Sequence, residues 1–435
     1  MSFISIEYFF FLLVIVIVYF LLKHSFRWLW ILAASYFFYA AWNPTYLILI
    51  MGSTFIDFLA GYCIGISKSK IVKISFLFLS ITMNLGILFI FKYYNFFVDS
   101  VAVVLAQLNL DYTIRHLNVL LPVGISFYTF QSMSYTIDVY RDRISVERNL
   151  GRFATYVAFF PQLVAGPIER ASNLLPQFRI VASVNYDRIR SGLLLITWGV
   201  FKKAIIADRI AILVNTVYGN PSEFVGIQLI IATLAFSIQI YCDFSAYSDI
   251  AIGSARILGF DLMKNFAQPY FSTSMGKFWR NWHISLSTWF RDYLYIPLGG
   301  NRVSKFRWRL NLFIVFVISG IWHGANWTFL IWGSLHGGYL IFETYITGMK
   351  KYFNVSYGNN IEIIVKVIQI LIVNILVCFA WIFFRANSVS DAMYIVSHIF
   401  VGVGEFWGNV FSFDYLRNII NMLGVNHIDL AIMTI

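Results

Sequence analysis

The stretch Ile314–Gly333, IVFVISGIWHGANWTFLIWG, holds no Asp, Glu, Lys or Arg, and its one ionisable side chain is His323. An imidazole at membrane depth costs on the order of a few kcal/mol unless a partner or a water-lined cavity meets it, so His323 is a functional candidate by default. Gly320 and Gly324 flank it and allow close backbone approach, while Trp322 and Trp327 supply walls. An imidazole is the usual general base for a hydroxyl within hydrogen-bond reach. The alternative is a core histidine satisfied by a neighbouring helix.

The rest of the chain places this stretch in a membrane. Of 435 residues, 59% are apolar and 12% charged, and the mean hydropathy is +0.73. A soluble domain carries about twice that share of charge. Apolar runs recur at Tyr8–Leu22, Phe26–Trp42, Leu47–Ile66, Ile71–Phe91, Val119–Val139, Leu193–Val217, Phe224–Tyr241, Leu310–Ile321, Trp327–Tyr345 and Ile361–Phe384. They predict an all-α polytopic membrane protein of about ten or more helices, arranged as a single membrane domain over residues 1–435. Lys23 closes the first run, and no basic leader or small-residue cleavage site accompanies it, so it reads as a membrane helix rather than a removed signal. The final run, Ile428–Ile435, starts a new apolar segment and stops, as expected of a chain truncated at its C-terminus or of a short member.

A formal net charge of +11 raises the question of nucleic acid. The cations sit in short loops between apolar runs, where topology places them, so no nucleic-acid partner is expected. The first loops alternate between Lys23/Arg27, the uncharged Asn43–Tyr46, and Lys68/Lys70/Lys73, which predicts an external N-terminus. The largest basic loop carries Lys277, Arg280, Arg291, Arg302, Lys305, Arg307 and Arg309 against Asp292 and is expected on the cytosolic side, where it suits a phosphate-rich donor or anionic lipid headgroups. Cys63, Cys242 and Cys378 form no CxxC or Cys/His cluster, so neither disulfide nor metal is expected.

Segment Phe278–Tyr295, FWRNWHISLSTWFRDYLY, repeats aromatic residues at helical spacing and predicts one amphipathic interfacial helix. His283, within it, is the second candidate; facing headgroups is its alternative. The broken apolar run Phe160–Pro167 predicts a re-entrant loop. Asp243 and Asp249, set among hydroxyls, are expected near the end of a span, either as partners for His323 or Arg280 or as a polar helix end. Asp57 and Asp138 read as structural hydrogen-bonding groups and His336 as a packing or polar contact; His24, His116, His398 and His427 receive no role.

Five motifs, in order, carry a resemblance: Leu121–Gln131 (LPVGISFYTFQ), Phe160–Ile168 (FPQLVAGPI), Asp243–Asp249 (DFSAYSD), Phe278–Arg302 (FWRNWHISLSTWFRDYLYIPLGGNR) and Gly320–Phe329 (GIWHGANWTF). Together they resemble the membrane-bound O-acyltransferase family, in the branch that acetylates alginate and peptidoglycan, over roughly residues 30–390. Asp142-Arg143 stands where that branch suggests Gly-Glu.

The resemblance implies a helical bundle with re-entrant loops around a central tunnel, His323 as the essential histidine and His283 as the second signature position. It further implies that acetyl passes from cytosolic acetyl-CoA to an extracytoplasmic polysaccharide, such as alginate or peptidoglycan, at the inner membrane. A periplasmic SGNH-type acetyltransferase would be the partner. Trp279, Arg280, Asn281, Arg291 and Trp322 are the candidate donor-binding residues. The rival readings are D-alanyl transfer to a cell-wall polymer, a carrier or channel with His323 as proton relay, and a non-catalytic scaffold.

Overall fold

A computed structural model describes residues 1, 3–110, 115–352 and 359–424. The final run Ile428–Ile435 and His427 lie outside the described residues. Every regular element among the described residues is helical. Among the described residues, four helices are long and apolar enough to cross a membrane: Tyr46–Ile66, Lys70–Gln107, Ile227–Leu258 and Ile361–Arg385. The first, 21 residues long, reaches about 31 Å at 1.5 Å per residue. The last exposes Ile361, Ile364, Val367, Leu371 and Ile375 along one side and buries Val373, Val377 and Trp381 on another. Large apolar side chains left uncovered over such a length need an apolar medium.

The chain folds as two compact units. The first comprises Met1–Gly199 and Tyr247–Lys264; the second comprises Val200–Ala246 and the chain from Asn265 onward.

In the first unit a buried polar knot joins three helices, Tyr46–Ile66, Lys70–Leu88 and Ile125–Tyr140. Fully buried Asp57 accepts hydrogen bonds from Ser80 Oγ at 2.5 Å and from Asn84 Nδ2 at 2.9 Å, and Ser80 pairs in turn with Thr136 Oγ1 at 3.0 Å. Asp57 is thus the structural group its sequence context suggests, and Asp138 pairs with Arg143 at 3.6 Å. The helix expected from Val119 begins only at Ile125, because Gly124 adopts a φ of +75°. A Cβ there would also collide with the Leu163 carbonyl oxygen. That carbonyl belongs to the irregular segment where the Leu150–Ala158 and Phe160–Leu163 helices are interrupted at Phe159. The segment is buried and hydrogen-bonded: Phe160 N–H donates to Ser35 Oγ at 3.1 Å, and Gln131 Nε2 donates to the Tyr156 carbonyl at 2.7 Å. Broken backbone at membrane depth requires such cover.

Further along the chain, three expectations are corrected. The Leu193–Val217 run is interrupted by a π-helical turn, Lys202–Ala207. The helix expected to stop at Tyr241 continues to Leu258, so Asp243–Asp249 is helix interior and not a helix end. No Gly or Pro interrupts residues 227–252, and Lys203 meets the Asp243 carboxylate at 2.6 Å. The single amphipathic helix expected over Phe278–Tyr295 is instead two short helices, Met275–Asn281 and Ile284–Phe290, followed by a π-helical turn, Arg291–Tyr295. The break falls at Trp282, which is extended, and His283, whose φ of +43° lies in the left-handed region.

The polar knot predicts a specific stability ranking. Asp57→Leu removes the shared acceptor of the Ser80 hydroxyl and the Asn84 amide and is expected to cost about 1–3 kcal/mol. Asp57→Asn retains an acceptor and should lose less. Thermal unfolding in detergent of the two variants checks the order.

Candidate active site

His323 is the last residue of the Lys305–His323 helix, which starts at Ser304 with its hydroxyl capping Arg307 N–H. The next helix, Trp327–Tyr352, begins after a short turn in which Asn326 Oδ1 accepts the Thr328 N–H at 3.0 Å. Two glycines press these helices together. A Cβ on Gly320 would collide with the Phe329 carbonyl oxygen, and one on Gly333 with the Phe316 carbonyl oxygen. Such contact brings backbones closer than larger residues permit.

That approach builds an aromatic shell around the imidazole. The His323 ring lies 5.0 Å from Trp322, 5.0 Å from Trp332 and 5.3 Å from Phe384, all edge-on. Trp332 stacks on Trp381 at 5.9 Å, and Trp381 reaches Trp282 at 5.2 Å. His323 itself is only partly buried.

The His283 ring lies 6.3 Å from that of Trp322. Its backbone break is held by Asn265: the Ile284 N–H donates to the Asn265 carbonyl at 2.9 Å, while Asn265 Oδ1 accepts from Ser285 N–H at 3.2 Å and Ser285 Oγ at 2.9 Å. The same Oδ1 lies 3.1 Å from His283 Nδ1. An amide oxygen only accepts, so Nδ1 carries the proton in this contact and Nε2 keeps its lone pair. Phe244 closes the ring edge-on at 4.5 Å. Burial, followed by the influence of the His323 imidazole, holds His283 well below the ordinary histidine range. No candidate span contains it.

A cleft of about 240 Å³ lies in the same unit. Leu286, Phe290, Leu312, Val315 and Phe316 give it apolar walls, and the exposed Arg280 and Arg291 stand at its margin with Tyr295. Ser319 and Phe316 line it from the helix that ends in His323, four and seven residues earlier, hence on the same helical face. Trp279 lines it too, and its indole N–H donates to His336 Nδ1 at 3.3 Å.

The candidates therefore separate into three groups. Trp279, Arg280 and Arg291 share the cleft; Trp322 packs with His323 and His283; Asn281 has a structural setting, donating to Ser272 Oγ at 3.2 Å and accepting the Ala267 N–H at 2.9 Å. Asp243 pairs with Lys203 in a separate cluster. His336 makes the polar contact its context suggested. Sequence reading passed over Asn265, Trp332, Phe384 and Ser319. Only Trp332 left a local trace, four residues before His336 on one helical face.

Residues 141–384 match the family model for MBOAT, the membrane-bound O-acyltransferase family. The chain belongs to that family. This membrane-bound O-acyltransferase is 38% identical over 420 residues to a probable alginate O-acetylase AlgI of Pseudomonas syringae pv. tomato, covering 96% of this chain and 76% of the relative. It is 36% identical over 393 residues to a peptidoglycan O-acetyltransferase of Helicobacter pylori, covering 84% and 72%. Similarity to a teichoic acid D-alanyltransferase of Streptococcus thermophilus is lower, 27% over 245 residues, covering 53% and 59%. The protein is thus a membrane acyltransferase, and the cleft and the two imidazoles belong to an enzyme that uses an acyl donor.

The lowered pKa of His283 has a definite sign. Below the unfolded value of 6.5 the unfolded chain takes up a proton that the folded chain refuses, so stability falls with falling pH. The slope approaches about 1.4 kcal/mol per pH unit for one group. Thermal unfolding between pH 7.5 and 5 should show His283→Gln losing this part of the wild-type dependence.

Proposed function

We propose that this acyltransferase takes acetyl from cytosolic acetyl-CoA and passes it across the membrane for O-acetylation of an extracytoplasmic polysaccharide. The observation that carries the reading is the cleft: an apolar pocket with two guanidinium groups at its margin, lined in part by Phe316 and Ser319 on the helical face that His323 shares. Guanidinium groups suit the phosphates of a coenzyme A donor, and the apolar walls suit its pantetheine arm. Alginate O-acetylase and peptidoglycan O-acetyltransferase are the names of the more similar relatives, which favours acetyl over the D-alanyl group of the more distant one. Their names also favour a polysaccharide acceptor, with alginate and peptidoglycan as the two types.

In this mechanism His323 takes the proton of an acceptor hydroxyl as its oxygen attacks the thioester carbonyl. The carbon–oxygen bond forms, the carbon–sulfur bond breaks, and the proton passes from the imidazole to the departing thiolate. His283, neutral and fixed through Asn265, positions donor or acceptor through Nε2. The protein works as one membrane domain with ten or more spans around a central tunnel, in the inner membrane, and hands acetyl to a periplasmic SGNH-type transferase. Arg280 and Arg291 hold donor phosphates, Trp279 and Trp322 form walls, and Asn281 shapes the turn that carries them.

The test is release of coenzyme A from acetyl-CoA by purified protein in liposomes with acceptor partner present. His323→Ala should lower turnover by about 10²-fold or more, the usual scale for loss of a general base. Turnover unchanged in that variant overturns the mechanism. Turnover with a D-alanyl carrier but not acetyl-CoA replaces the donor.

A further inference from the structure

His336 has no part in the chemistry above, yet it is fully buried in the second unit. Its ring lies 4.9 Å from Trp332, 5.0 Å from Trp279 and 5.7 Å from Tyr339. Because Nδ1 accepts the Trp279 indole N–H at 3.3 Å, the neutral ring carries its proton on Nε2, which meets no hydrogen-bond partner among the described residues. An apolar side chain would fill this space without that unmet donor. What histidine adds here is the acceptor for Trp279.

Trp279 occupies a decisive place. One side of it lines the cleft; its ring packs edge-on to Phe316 at 5.0 Å and to Trp332 at 5.7 Å. Trp332 in turn touches the His323 ring. The cleft lining includes Ser319 but not His323, one helical turn further on. Through Trp332 the indole thus joins the cleft wall to the aromatic shell of the imidazole.

We infer that Trp279, latched by His336, is the constriction that fixes acyl length, admitting a two-carbon acyl group toward His323 and refusing longer chains. The inference rests on the donor reading above. His336 acts here as a positioning residue, since its effect passes through the indole. A shorter side chain at 279 joins the volume of the indole to the cleft, and each further methylene of the acyl chain then gains apolar cover.

The experiment measures dissociation constants of unacylated coenzyme A and of thioether analogues bearing two-, four- and eight-carbon chains, with the full chain in detergent. The wild type should prefer the two-carbon analogue over the eight-carbon one at least tenfold. Trp279→Ala should erase at least tenfold of that preference, and Trp279→Phe should erase part of it. His336→Leu, which removes the latch, should shift in the same direction, whereas His336→Asn, which restores an acceptor, should remain near wild type. Thermal unfolding reports folding in every variant; if Trp279→Ala fails to fold, Trp279→Phe decides. Wild-type indifference to chain length, or a preference unchanged in the Trp279 variants while coenzyme A still binds, overturns the constriction alone. Failure of the wild type to bind coenzyme A or any analogue overturns the donor reading and the constriction with it.

Discussion

The close approach of two helices through Gly320 and Gly333 is the constraint on which the candidate site depends. With side chains larger than hydrogen at those positions the Lys305–His323 and Trp327–Tyr352 helices would stand further apart. The edge-on contact of Trp332 with His323 would then open. Because Trp332 and His336 lie one turn apart, the same contact places the latch beneath Trp279. One backbone-to-backbone fit thus sets the imidazole, its aromatic shell and the wall of the cleft.

Polar satisfaction in an apolar setting explains much of the remaining architecture. Asp57 is tolerated at full burial because Ser80 and Asn84 donate to it, and the price of that arrangement is that three helices must stay in register. Asn265 plays the corresponding part around His283. Its carbonyl accepts the Ile284 N–H and its Oδ1 meets the Ser285 N–H, the Ser285 hydroxyl and His283 Nδ1, so the left-handed residue and the two that follow it are pinned together. In each case one short polar side chain satisfies several donors that hydrocarbon leaves without alternatives.

The class of the protein was legible in composition, and the candidate histidines stood out in their motifs. Charge sparsity and apolar runs give an all-helical membrane protein, and the uncharged setting of His323 marks it without reference to any partner. Where helices break was less legible. The aromatic period of Phe278–Tyr295 continues smoothly through His283, and only the distant Asn265 decides that the chain turns there. The Asp243–Asp249 motif misled for the opposite reason: its hydroxyls and carboxylates look like a terminus, but Lys203, forty residues earlier, meets the Asp243 charge and the helix runs on. Trp332 and Phe384 were hidden among many equivalent aromatics, since 19% of the chain is aromatic and sequence spacing does not say which rings meet.

We place the donor in the Arg280–Arg291 cleft with its acyl carbon beside His323. Bromoacetyl-coenzyme A tests this directly, because an imidazole within reach displaces bromide and keeps the label through proteolysis and mass spectrometry. The account predicts an adduct on His323 that excess coenzyme A suppresses. A suppressible adduct elsewhere, with His323 unmodified, would contradict it.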